Sequence, residues 1–187
     1  MLNCPTLSAH VATFEAATER ARALLDGLDS ETANRQPHPG SWSALQALEH
    51  LNVTARLYHA RIERALRDAP EGGPPYEGGT LTGRLFIKQL RPDGGAKRLK
   101  APKVFRPPTT ALTVVRVGDD FQRAQDEWIR LIGAGEGRDL GRARVRLPLP
   151  LPIHMSVAQA FEVHALHVIR HVGQAERALV AVRAGSA

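Results

Sequence analysis

From Ser156 onward the chain runs without a proline, and only Gly173 interrupts a stretch whose apolar residues recur at helical spacing. Ser156, followed three residues later by Gln159, reads as an N-cap with its capping box, directly after the proline-broken run 147–152. The segment is therefore predicted to be one long amphipathic helix, which must bury its apolar stripe against other elements to be stable. That stripe, marked by Ala160, Val163, Ala178 and Val182, carries His164, His167 and His171, with Gln174 one step further on. At about 100° per residue, spacings of three and four return these side chains to one narrow arc.

A single histidine on a helix face is ordinarily a surface or hydrogen-bonded core residue. Several are costly to bury together unless each finds a partner or they share a cation. The i, i+4 pair His167 and His171 has the spacing with which two ring nitrogens reach one metal ion. A second predicted helix offers a third ligand. Ser43 and Gln46 repeat the capping-box spacing just after Pro39, Gly40 and Trp42, and Leu45, Leu48, Leu51, Ala55, Ile62 and Leu66 follow at helical intervals. His50 falls at the margin of that apolar face, beside Ala47, Thr54 and Leu57, where it can point into a groove between helices. Glu49 is expected to turn toward the polar face.

Four long amphipathic segments emerge in all: residues 7–28, with a stripe of Leu7, Val11, Phe14, Ala21, Leu25 and Leu28; residues 43–67; a helix from Thr109 or Thr110 to Ile132, burying Leu112, Val115, Phe121, Ala124, Trp128 and Leu131; and the last helix. Two long connections separate them. Residues 71–108 are irregular apart from a short helix suggested by Leu81, Leu85, Ile87 and Leu90, and residues 133–155 contain Arg142, Arg144 and Arg146 alternating with Ala143, Val145 and Leu147 as in an extended segment. The expected fold class is all-α, a four-helix bundle with long crossover connections, built as a single domain over residues 1–187. With 43% apolar but only 5% aromatic residues, the core must rest on Leu, Val, Ile and Ala, which suits interdigitating helices.

Charge and cysteine content narrow the function. The net charge of +6 and pI near 10.2 raise the question of nucleic acid. The arginines, however, are scattered among acids along every predicted helix. The one dense basic cluster, Arg84, Lys88, Arg91, Lys97, Arg98, Lys100, Lys103 and Arg106, has only Phe86 and Phe105 as stacking partners, so a solvated loop or a cradle for a small acidic substrate is preferred and a nucleic-acid partner is not expected. Cys4 is the sole cysteine, which excludes an intramolecular disulfide and a thiolate metal cluster. The first residues lack the basic start and apolar core of a secretion signal, and no run approaches the roughly 18 apolar residues of a membrane span, so a soluble cytoplasmic protein is expected.

Trp42 and Ser43, then Glu49, His50 and Leu51, with His167, His171 and Gln174 near the end, resemble the DinB family, which includes YfiT-like proteins and thiol transferases. The resemblance implies a DinB/YfiT-like bundle in which His50, His167 and His171 bind one divalent metal ion, zinc, nickel or iron. His164 is extra to the pattern and is assigned, with Gln174, to the second shell or pocket wall, and His154, just before the last helix, is placed at the mouth or in a solvated loop. The mouth itself is expected beneath the 71–108 loop. Three neutral ligands leave a coordination position open, which points to chemistry rather than a closed structural site. The implied activity is that of a metal-dependent hydrolase or thiol S-transferase acting on a small molecule, in stress or detoxification, with a low-molecular-weight thiol as a candidate partner and a homodimer as the expected assembly. The alternative is a non-catalytic metal-binding or dimerising helical module. No general base can be named.

Overall fold

The computed structural model describes residues 2–72, 76, 78–91 and 101–185. Among these, helices α1 (Pro5–Leu25), α2 (Ser30–Asn34), α3 (Ala44–Arg67), α4 (Leu81–Leu90), α5 (Val114–Ala134) and α6 (Val157–Ala184) are joined by a 3-10 turn at Lys103–Phe105 and by strands β1 (Arg144–Arg146) and β2 (His154–Ser156). The long helices α1 and α3 each pack against both α5 and α6. This arrangement sets α1 opposite α3, and α5 opposite α6, across the diagonals of a four-helix bundle, so the α1–α3 and α5–α6 links must cross an end of the bundle. The core is filled by Leu7 and Phe14 of α1, Leu45, Leu48 and Ile62 of α3, Phe121, Leu131 and Ile132 of α5 and Phe161 of α6, all essentially without solvent contact.

Both capping boxes form. Ser43 Oγ accepts from the Gln46 backbone N–H at 3.2 Å while Gln46 Oε1 accepts from the Ser43 N–H at 3.1 Å, and Ser156 and Gln159 repeat the exchange at 3.1 Å each way. Gln159 does more than cap α6. Its Oε1 also accepts from the Thr80 backbone N–H at 2.9 Å and its Nε2 donates to the Thr80 carbonyl at 2.9 Å, which fastens the start of α4 to the start of α6. Gly83 is buried at that junction, where any Cβ would collide with the Gln159 carboxamide. Gln159→Ala strands these partners, and we expect it to cost about 2 kcal/mol in chemical denaturation and to open α4 to proteolysis ahead of global unfolding. Unchanged stability together with unchanged cleavage would contradict the staple.

The helical periodicities are realised with shifted ends. α1 stops at Leu25 rather than Leu28, because Gly27 takes φ 63° and Asp29, accepting from the Thr32 N–H at 2.8 Å, starts the unforeseen α2. α5 begins at Val114 rather than Thr109 or Thr110, since the side chain of Thr113 caps it. Val115, expected inside, is 73% exposed and Val117 is buried instead, because Val117 stands one turn before Phe121 on the α5 stripe whereas Val115, six residues before Phe121, falls about 120° from it. The alternating segment around Arg144 is a strand, with Val145 buried between exposed Arg144 and Arg146; its partner is β2, pairing Val145 with Met155 in antiparallel register. Among the described residues no helix is long and apolar enough to cross a membrane.

Candidate metal centre

His50 on α3 and His167 and His171 on α6 meet between these two adjacent helices, where one ring nitrogen from each lies within 4.8 Å of the others. His50 Nε2 and His167 Nε2 are 3.0 Å apart. The outer nitrogens set the tautomers. His50 Nδ1–H donates to the Phe105 carbonyl at 2.6 Å and His171 Nδ1–H donates to Gln174 Oε1 at 2.9 Å, leaving the Nε2 lone pair of each ring free for a metal. Trp42, immediately before the Ser43 cap, packs its indole against His50 at 4.8 Å and His171 at 5.9 Å between ring centres, walling the cluster from the α3 end.

Burial holds all three rings neutral. Desolvation lowers the pKa of His50, only partly opposed by the Phe105 carbonyl; it drives His167 well below the ordinary 6.5, with help from the neighbouring imidazoles; and it takes His171 to about 3. Neutral imidazole is the form that ligates metal. Two imidazole nitrogens 3.0 Å apart are also close to the edge of roughly 3.3 Å shared by two ligands bound 2.0–2.1 Å from a tetrahedral ion. The donor set therefore fits a divalent cation of the zinc, nickel or iron type, and the three histidines could hold one.

The neighbouring sequence candidates fall into different places. Gln174 orients His171, as above. His164, 5% exposed, stands apart from the three-nitrogen cluster: its ring stacks on Trp128 at 4.3 Å and meets Tyr58 edge-on at 4.4 Å, 6.3 Å from His167. His164→Phe keeps those ring contacts, so the variant is expected to retain full metal content by elemental analysis; metal loss like that of a ligand variant would make His164 a fourth ligand. His154 is exposed on β2, bonded to the Pro152 carbonyl at 3.1 Å, and does not join the cluster. Glu49 corrects an expectation. It is 7% exposed rather than turned to solvent, because its carboxylate accepts from Asn52 at 2.9 Å and from Arg56 at 2.6 Å in the α3–α5 seam. It is no base for the cluster.

Of the basic loop, Phe105 does reach the site, through its carbonyl and through a ring stacked on Tyr58. Arg91 is paired with Glu162 at 3.0 Å and Arg106 donates to the Ala101 carbonyl, while Lys97, Arg98 and Lys100 lie outside the described residues. The sequence reading missed the wall role of Trp42, although its place beside the Ser43 cap was a signal. No signal existed for the Phe105 carbonyl, which is backbone.

The DinB superfamily profile matches residues 13–175, which takes in α3 and α5 whole, the greater part of α1 and α6, and all three histidines. The chain belongs to the DinB superfamily. No curated protein and no solved structure matches it significantly. The two motifs at residues 42–51 and 167–174 both fall inside the matched span, and the bundle observed agrees with an all-α DinB fold.

Proposed function

We propose that this DinB-superfamily chain is a metal-dependent enzyme that activates a small nucleophile, water or a low-molecular-weight thiol, for hydrolysis or thiol S-transfer on a small molecule. The observation that carries the reading is the donor set: three neutral imidazoles converge without a carboxylate or thiolate among them, which leaves a divalent ion both a coordination position and its positive charge. A bound ion of this kind supplies a Lewis acid that lowers the pKa of a coordinated water or thiol. The chain's own groups do the positioning. The Phe105 carbonyl and Gln174 hold two rings in the ligating tautomer, and Trp42 shields the cluster from bulk water on one side. The loop carrying Phe105, with Lys103 and Arg106 beside it, supplies the basic rim that would favour an anionic substrate.

Cobalt-loaded protein separates the branches. With a thiol transferase, adding a low-molecular-weight thiol should raise a near-ultraviolet charge-transfer band, and thiol-plus-electrophile pairs should turn over. A hydrolase should instead cleave activated esters with no thiol added. Neither spectral change nor turnover would leave the metal-binding module without catalysis. For assembly we propose a homodimer, for which Ile169 and Val180, 46% and 67% exposed and nearly aligned along α6, offer the apolar surface. Sedimentation of the Val180→Glu variant as wild type would remove that face from the interface.

A further inference from the structure

Three neutral imidazoles leave a bound divalent ion its whole charge, yet the charged groups around the cluster are themselves cations. Arg170 stands on α6 between His167 and His171 in sequence, half-buried and about 60° round the helix from His167. A long side chain at this position leans back toward the helix N-terminus, over the turn that carries His167. Its charge adds to the burial that holds His167 and His171 neutral. Arg177 lies two turns on along nearly the same line and acts on His171 in the same sense; its guanidinium lies back over Gly173, with Nη1 3.2 Å from where a Cβ would stand. Lys103 and Arg106 flank Phe105, whose carbonyl holds His50. Among the described residues none of these four cations forms an ion pair, and the acids that could serve are taken: Glu162 by Arg91 at 3.0 Å, Glu176 by Arg20 at 2.7 Å and Glu49 by Arg56 at 2.6 Å. No carboxylate raises the pKa of any of the three ligand histidines. An ion and guanidiniums this close repel, and an anion lying between them turns the repulsion into attraction. The paired N–H donors of a guanidinium match two oxygens of a carboxylate or phosphate, and His167 and His171 are partly open to solvent, so a small molecule can reach both partners.

We propose that Arg170, supported by Arg177, sets the substrate class of the metal centre by binding a carboxylate or phosphate that the substrate carries apart from the group that meets the ion. The inference rests on the metal reading and holds whether water or a thiol is the nucleophile. Hydroxamates ligate an accessible divalent ion through their own two oxygens, so they test the second group by itself. The zinc-loaded full chain is titrated by calorimetry at about 0.15 M salt, which screens the general positive charge of the protein. Butyrohydroxamate is the neutral probe; succinic monohydroxamate adds a carboxylate and phosphonoacetohydroxamate a phosphonate. At least one anionic probe should bind about ten-fold or more tighter than butyrohydroxamate, and the tighter of the two names the group. Arg170→Gln should remove most of that preference with zinc content still stoichiometric, and Arg177→Gln should reduce it by less. Arg183→Gln, which deletes the same charge at the exposed far end of α6, should leave it intact. Equal affinity for all three probes, a preference undiminished in Arg170→Gln, or an equal loss in Arg183→Gln would overturn the role of Arg170 and leave the metal centre standing. Zinc-loaded protein that binds no hydroxamate would overturn the open coordination position, and this inference with it.

Discussion

His171→Ala is expected to purify without stoichiometric metal, and the melting temperature of metal-saturated protein should fall to that of the metal-free form. The physical reason is linkage: an ion that binds only the folded state stabilises it by RT ln(1 + [L]/Kd), about 2.7 kcal/mol at a hundred times Kd and about 4 kcal/mol at a thousand. His50→Ala and His167→Ala should behave alike, since the three nitrogens share one point. Gln174→Ala tests the layer behind them. It removes the acceptor that holds His171 Nδ1–H, so metal affinity should drop by roughly 10–100-fold with the ligand still present. Full metal content in His171→Ala would end the assignment, whereas a metal-free His171→Ala whose apo stability equals wild type would separate the ligand role from a packing role.

Acid should unfold the metal-free protein well above the pH at which carboxylates protonate. Burial takes His59 to about 4 and His164 to about 3, against an ordinary value of 6.5 in the unfolded chain. Because the folded values are depressed, the unfolded state binds more protons below pH 6.5. The stability these groups allow is complete above that pH and is lost as pH falls toward the folded values. Each contributes about 1.4 kcal/mol per pH unit, so the pair alone removes about 5 kcal/mol between pH 6.5 and 4.5, comparable with the whole stability of many domains. Buried His167 and His171 add to the same slope in the absence of metal, and metal should shift the transition to lower pH because protons and the ion compete for the same lone pairs. Urea unfolding from pH 7 to pH 4.5 measures it. His164→Phe should reduce the proton uptake on unfolding by about one, and a wild-type stability that stays flat between pH 7 and 5 would refute the account.

Much of this was legible because it is local. The capping pairs Ser43–Gln46 and Ser156–Gln159 act within one turn, and both starts were read from spacing and found in place. The i, i+4 spacing of His167 and His171 likewise needs nothing but a helix. Two expectations failed for different reasons. Val115 is expected inside when the stripe is carried back from Phe121 by two steps of three, whereas the single step of four reaches Val117, the residue that the bundle buries. Glu49 was placed outside because an acid beside a polar face has no reason to be buried until Asn52 and Arg56 are seen to hold it.

The sequence by itself determined the helices, their apolar faces and the histidines that those faces carry, since period, caps and side-chain chemistry are properties of short stretches of chain. Only the tertiary structure decided that α3 lies beside α6 while α1 lies opposite α3, and this adjacency is what brings His50 to His167 and His171 from 117 residues away. It also decided the tautomers, through the Phe105 carbonyl and Gln174. Contacts between distant segments depend on which faces pack together and at what register, and that choice is made by the sum of the whole core rather than by any stretch of it.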